Sequence, residues 1–147
     1  MKFGRDSKAG AKRKELIDVR SLVEHPGRPA VLAAWKTTFD ELGGLFGFCK
    51  ENEIPVILVV FPFRFQFEDV RAKSWPQEVV TQYAREKGIP VLDLLPILDK
   101  VMEERGKKPE DYFLDSNHPS APGNEVVAEA ISDFIIRELA STLEQQP

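Results

Sequence analysis

The chain of 147 residues has one cysteine, two histidines and no long apolar run, and each scarcity excludes a class of protein. The single cysteine, Cys49, cannot form an internal disulfide, and its apolar neighbours predict a small core residue. The longest apolar stretch, 54–63, is far shorter than the ~20 residues of a membrane-spanning helix. The net charge of −4 gives no overall basic field, so we expect no binding to nucleic acid.

Charge is unevenly distributed along the chain. Residues 1–29 hold eight Lys/Arg and four Asp/Glu, whereas the remainder holds twelve and twenty. We expect 1–29 to be a basic, poorly ordered segment, with at most a short helix over 12–23, and 30–147 to be the folded part. His25 is predicted to be an exposed loop residue. No apolar segment of the kind found in secretory signals follows the basic start, so a cytoplasmic location is expected unless an upstream segment is missing.

From residue 30 onward, helical and strand patterns alternate. Apolar residues at three- and four-residue spacing predict a helix over 30–49, and the β-branched run 54–61 predicts a strand buried on both faces. A helix that starts at Trp75 and ends at Gly88 leads to a short strand over 89–93. Further helices are predicted over 95–104 and 122–143. This order predicts an α/β fold with a parallel sheet. Because a sheet of only two strands has uncovered edges, self-association through an edge is also expected.

Asp115 and His118 form the candidate chemical site, because they stand three residues apart just before the last predicted helix. A carboxylate beside an imidazole accepts the Nδ1 proton and leaves Nε2 free to act as a general base. Two other interpretations stay open at this point. In the first, Asp115 only forms a turn and His118 is a loop residue near the start of a helix. In the second, the pair is half of a metal site.

The surrounding segment resembles the last block of the SGNH/GDSL hydrolase family. In 112–124 an Asp-x-x-His-Pro run leads to Gly123 and then to a helix that carries Ala128. The segment 88–96 is similar to the penultimate strand of that family, and 54–62 is similar to its central strand. Asn124 departs from the pattern, since the family often has His there. The resemblance covers about residues 30–140.

This resemblance implies a three-layer α/β/α, flavodoxin-like SGNH hydrolase fold and the hydrolysis of ester bonds by a Ser-His-Asp triad. His118 would be the general base and Asp115 its orienting carboxylate, with a small ester or an acetylated carbohydrate as substrate and no cofactor or metal. The nucleophile belongs to a Gly-Asp-Ser block after a first strand. The only candidate is Ser7, which follows an inserted Arg5 and has too short a run before it for a strand. We therefore expect a domain that is incomplete at its N-terminus.

Two rival functions accompany the ester hydrolase. The first is a catalytically inactive interaction module, with the free sheet edge and the loop 63–71 as its contact surfaces. Phe63, Phe65 and Phe67 alternate in this loop and equally fit core residues at the end of a strand. The second is a metal-assisted phosphoesterase, for which no further His, Cys or paired carboxylates stand at ligand spacing around the Asp115–His118 pair.

Overall fold

The computed structural model describes residues 19–68 and 74–144. Ser7, the candidate nucleophile, lies outside these ranges. The part described is mostly helical and contains a small sheet of two strands. The helices are α1 (Val19–Glu24), α2 (Pro29–Glu51), α3 (Trp75–Glu86), α4 (Leu95–Arg105), α5 (Pro109–Tyr112) and α6 (Ala121–Glu144), and the strands are β1 (Leu58–Val60) and β2 (Val91–Asp93).

The two strands run parallel, as the alternation of helices and strands predicted. Leu58 lies opposite Val91 and Val60 lies opposite Asp93, and α3 forms the crossover between the strands. A parallel pair needs such a crossover, because the chain must return to the same edge of the sheet before the second strand begins. The prediction of a parallel sheet is confirmed, while the complete flavodoxin-like arrangement stays a prediction.

Strand β1 is shorter and less buried than the sequence predicted. It covers three residues, all of them half-buried, and Ile54 at the start of the apolar run is 48% exposed. The Leu58 amide donates to the Pro90 carbonyl, and the Val60 carbonyl accepts from Leu94. The amide and carbonyl of Val59 therefore point away from β2. Within 19–68 and 74–144 no other strand pairs with that edge. All three residues of β1 are only half-buried, so the prediction of burial on both faces is wrong.

Helix ends agree closely with the sequence where glycine sets them. The chain leaves α3 through Gly88 and leaves α4 through Gly106, with φ of 68° and 59°. This left-handed conformation is the usual reason for glycine just after a helix. The predicted helices over 75–88, 95–104 and 122–143 are confirmed to within a residue or two. The short helix α5 was missed, because the interval 107–117 was predicted to be a loop.

The main hydrophobic core is built from the C-terminal half of the described chain. Its fully buried members are Leu94 and Leu98, which are 0% and 2% exposed. They connect the end of β2 and helix α4 with α5 and the inner face of α6. The whole cluster comprises Leu92, Leu94, Leu98, Met102, Tyr112, Phe113, Val126, Val127 and Phe134.

Helix α2 is attached mainly through aromatic contacts with α3. The rings of Phe39 and Tyr83 stack with centroids 4.3 Å apart, and the Tyr83 hydroxyl donates to the Phe39 carbonyl at 2.6 Å. Trp35 meets Trp75 edge to face. Cys49 is buried near the end of α2, which confirms its prediction as a small core residue.

The described part of the loop after β1 contains a 3₁₀ turn over Arg64–Gln66. Phe65 is 9% exposed and Phe67 packs against the core beside Phe113, so both behave as core residues. Gln66 is buried with Gln77, and its Nε2 donates to the Gln77 Oε1 at 2.8 Å. This amide pair ties the loop to α3, because each buried polar group finds its partner in the other.

Part of the basic N-terminal segment is helical. Helix α1 overlaps the short helix predicted over 12–23, and Val23 within it is 4% exposed. His25 follows α1 at an exposed turn, as predicted. In the part of the chain that the structure describes, none of the helices is both long enough and apolar enough to cross a membrane.

Candidate functional site

Asp115 and His118 lie in a tight loop between α5 and α6. The residues on either side of the loop pair as an isolated antiparallel bridge, Phe113 with Pro119. The Leu114 amide donates to the His118 carbonyl at 2.8 Å, and the Ser120 amide donates to the Tyr112 carbonyl at 2.9 Å. The loop is therefore closed by backbone hydrogen bonds, which fix the position of the pair relative to the buried Tyr112 and Phe113.

The Asp115 carboxylate organises this loop through both of its oxygens. Oδ1 accepts the backbone amides of Asn117 at 3.0 Å and His118 at 2.9 Å. Oδ2 lies 2.7 Å from Nδ1 of His118. The turn interpretation and the catalytic interpretation of Asp115 are thus compatible, because one oxygen forms the turn and the other faces the imidazole.

The same contacts keep Asp115 ionised. The backbone amide of Asn117, followed by the His118 side chain and the His118 amide, lowers the pKa of Asp115 from 3.8 to about 2. An ionised carboxylate can only accept hydrogen bonds, so the Nδ1 of His118 carries the proton in the neutral imidazole. Nε2 then presents its lone pair, as a general base requires.

Both members of the pair, which we call the dyad, are open to solvent. The side chains of His118 and Asp115 are 67% and 55% exposed. Across 19–68 and 74–144, no serine hydroxyl is hydrogen-bonded to His118. The structure thus brings together two of the three predicted catalytic residues, and Ser7 lies outside its description.

Ser120 and Gly123 hold the dyad loop against the start of α6, and the sequence interpretation gave neither of them a role. The buried Ser120 hydroxyl donates to the Asp111 carbonyl at 2.7 Å and accepts the Gly123 amide at 3.4 Å. These contacts identify it as the N-cap of α6, and they engage the hydroxyl away from His118. A side chain at Gly123 would collide with the Tyr112 carbonyl oxygen. A serine directly before the apolar period of a helix was the available signal for the cap.

The dyad loop also contacts the segment that leaves β1. The Arg64 amide donates to the Ser116 carbonyl at 2.8 Å. This bond places the loop beside the carboxyl end of β1, the edge at which open parallel sheets usually carry their sites. Two apolar side chains are unusually open in these segments, Phe61 at 47% and Leu114 at 74% exposed.

Asp93 is a second carboxylate at the carboxyl edge, and the sequence interpretation treated it only as the end of a strand. Burial raises its pKa, and the Leu95 amide, which its Oδ1 accepts at 2.9 Å, acts in the opposite direction. The hydrogen bond ties the carboxylate to the first residue of α4. Its local role is therefore structural: it joins β2 to the helix that follows.

The interpretation of Asp115 and His118 as half of a metal site requires further ligands nearby, and the described residues do not supply them. Within the described ranges, no group of three or more His, Cys, Asp or Glu side chains could hold a metal ion. Comparisons with family models, with curated proteins and with solved structures find no match to the chain. Function is therefore inferred from the geometry of the dyad.

Proposed function

We propose that this chain carries the His–Asp half of a Ser-His-Asp triad and acts in the hydrolysis of small esters or acetylated carbohydrates. The observation that supports the proposal is the 2.7 Å contact between Asp115 Oδ2 and His118 Nδ1, in a loop whose backbone is fixed by Oδ1 of the same carboxylate. A plain turn former needs only one of these oxygens. The second contact orients the imidazole, which is the function of the carboxylate in such triads.

In this proposal His118 moves the protons of the reaction. Its Nε2 takes the proton from the attacking hydroxyl while the new bond to the acyl carbon forms, and it returns the proton to the alcohol as the ester bond breaks. Water then attacks the acyl group with Nε2 again as the base, and the carboxylic acid leaves as the hydroxyl of the nucleophile regains its proton. Asp115 stabilises the imidazolium that exists between each uptake and return of the proton. The nucleophile is Ser7 or a hydroxyl supplied by a second polypeptide that completes the SGNH-like domain. A cytoplasmic location belongs to the same proposal.

The test of the base is hydrolysis of p-nitrophenyl acetate by the purified chain and three variants. We expect His118→Ala and Asp115→Asn to lower the rate by roughly 100-fold or more, because general base catalysis and its orientation are lost. His25→Ala is the matched control, since His25 is the other histidine of the chain and is exposed. Equal loss in His25→Ala and His118→Ala, or a full rate in His118→Ala, would contradict the proposal.

The nucleophile requires a separate measurement. A fluorophosphonate probe labels an activated serine covalently, so labelling of the wild type and its loss in Ser7→Ala would identify Ser7. Ser141→Ala is the control, because Ser141 is exposed on α6 and its hydroxyl donates to the Glu138 carbonyl. Labelling that persists in both variants would exclude Ser7 as the nucleophile.

The rival function, an interaction module without catalysis, is favoured by the edge of β1 with which no other described strand pairs. Val59 directs its amide and carbonyl away from β2, and the apolar residues Ile54 and Phe61 at the two ends of the run are about half exposed, at 48% and 47%. Such an edge can pair with a strand of a second copy. In this alternative the chain self-associates, and the dyad has no role in catalysis.

Self-association is tested by sedimentation equilibrium over a range of concentrations. Val59→Pro removes the outward amide, whereas Val59→Ala shortens the same side chain and keeps that amide. If the edge mediates a dimer, the proline variant should be monomeric and the alanine variant should still associate, with circular dichroism confirming that both fold. A wild type that stays monomeric at every concentration would remove this alternative.

A further inference from the structure

A concave surface lies at the opposite end of the sheet from the dyad. It is a cavity of about 550 Å³, within the usual range for small-molecule sites. Helix α2 and the residues that lead into β1 and β2 form its walls. The strands are parallel, so these residues lie at the amino edge, whereas Arg64 and the dyad loop lie at the carboxyl edge. The apolar walls are Phe46, Ile54, Val56, Ile89 and Pro90.

Two lysines and no acidic residue line this cavity. Lys50 lies in the last turn of α2, and Lys87 follows α3 directly. Among the residues that the structure describes, neither ammonium forms an ion pair. The Lys87 Nζ instead lies 5.6 Å from the centre of the Tyr83 ring. A cation at a helix end commonly serves the free carbonyls there. Here the Cys49 and Ala84 carbonyls already accept the Ile54 and Ile89 amides, so these two carbonyls do not depend on the lysines.

Gly47 gives the cavity room on the helix side. It lines the cavity, and a Cβ built on it would meet no atom within 4 Å. Glycine inside a helix is unfavourable by about 1 kcal/mol relative to alanine. Gly47 adds no side chain to the cavity wall, which leaves that space open.

We propose that this cavity binds an amphiphilic organic anion, a molecule with an apolar body and a carboxylate or phosphate head. The apolar walls would hold the body, and Lys50 and Lys87 would hold the head. A neutral molecule of the same size would form no ion pair with the two ammonium groups and should bind more weakly. The site is independent of the dyad, so the proposal stands or falls separately from the ester hydrolase.

The first test fills the cavity. The probe is 1-anilinonaphthalene-8-sulfonate, an apolar anion whose fluorescence rises on binding. Gly47→Leu should weaken its binding at least tenfold, because the new side chain takes the space of the ligand. Gly44→Leu is the matched control, since Gly44 is also on α2, also has no atom within 4 Å of a Cβ, and does not line the cavity. Equal binding by both variants, or equal loss in both, would overturn the proposal.

The second test concerns the charge of the head group. Octanoate and octyl phosphate should displace the probe from the wild type, and octan-1-ol should displace it at least tenfold less well. The better of the two anions distinguishes a carboxylate from a phosphate. In the double variant Lys50→Gln, Lys87→Gln this preference for the anions over the alcohol should disappear. A preference that survives in the double variant would show that the two lysines do not hold the head group.

Discussion

The two halves of the described chain differ sharply in how they use their apolar residues. Every member of the core cluster lies between Leu92 and Phe134. Helix α2 is 23 residues long, yet Val31, Phe46 and Cys49 are its only buried residues. Leu45 and Phe48 on the same helix are 53% and 58% exposed. The C-terminal half thus holds the main core, although Leu114, Ile136 and Leu139 in it are exposed as well, whereas α2 buries few of its apolar residues.

This difference explains why the dyad is well formed although its surroundings are open. The dyad loop depends on Tyr112, Phe113 and the start of α6, all of which belong to the well-packed half. The partly exposed strand β1 contributes a single backbone hydrogen bond to the loop, from the Arg64 amide of the segment that follows it. Geometry for acid–base chemistry can therefore persist where the substrate-binding walls are incomplete.

The largest expected effect comes from removing a core leucine. Leu98 is 2% exposed within the cluster, so Leu98→Ala should lower the free energy of unfolding by about 2–5 kcal/mol. Leu45→Ala on α2 is the matched substitution in the other half, and it should change stability by no more than about 0.5 kcal/mol. Urea denaturation measures both. Similar losses would show that α2 is covered in solution and would remove the contrast between the halves.

Glycines in the two halves should respond in opposite directions. Gly123→Ala places a methyl group against the Tyr112 carbonyl oxygen and should destabilise the fold by about 1–3 kcal/mol. Gly44→Ala meets open space within α2 and should stabilise it by up to about 1 kcal/mol through helix propensity. Thermal unfolding of both variants gives the comparison. A neutral Gly123→Ala would mean that α6 can move away from Tyr112.

A smaller loss is expected at the cap of α6. Ser120→Ala removes the hydroxyl that bridges the Asp111 carbonyl and the Gly123 amide, which should cost about 0.5–2 kcal/mol. Ser141→Ala, on the exposed face of the same helix, should be neutral to within about 0.5 kcal/mol. Chemical denaturation separates the two. If Ser120→Ala and Ser141→Ala change the free energy of unfolding equally, the Ser120 hydroxyl does not cap the helix.

The sequence predicted the features that depend on neighbouring residues. The helices that end at Gly88 and Gly106 were found because a left-handed glycine is a local signal. The contact between Asp115 and His118 was expected for the same reason, since three residues of one turn suffice to form it. Cys49 was recognised as buried from its place in the helical period.

Features that depend on distant residues were missed or wrong. Burial of the run 54–61 depends on distant elements that pack on its two faces, and only 58–60 form a strand, which is half-buried. Helix α5 is a single turn, too short to form without the tertiary contacts that bury Tyr112. The cavity combines Gly47 of α2 with Pro90 before β2, and no sequence period links residues so far apart.

The smallest effect, and the most direct test of the dyad loop, is its response to acid. The pKa of Asp115 is lowered to about 2 in the folded chain, so the folded state binds fewer protons than the unfolded state between pH 4 and pH 2. The stability that this carboxylate contributes is therefore complete above about pH 4. It is lost as the pH falls toward 2, because the carboxylate becomes protonated and no longer accepts hydrogen bonds as an anion.

Carboxyl-carbon NMR during an acid titration measures this directly. A midpoint for Asp115 near 2 would show that the Asn117 and His118 amides hold the carboxylate in solution, and Asp115→Asn should remove that part of the pH dependence of unfolding. A midpoint near the ordinary 3.8 would mean that the loop is open at the dyad. The contrast between the halves would then fail where it matters most, because the well-packed region would not fix the geometry on which the proposed chemistry depends.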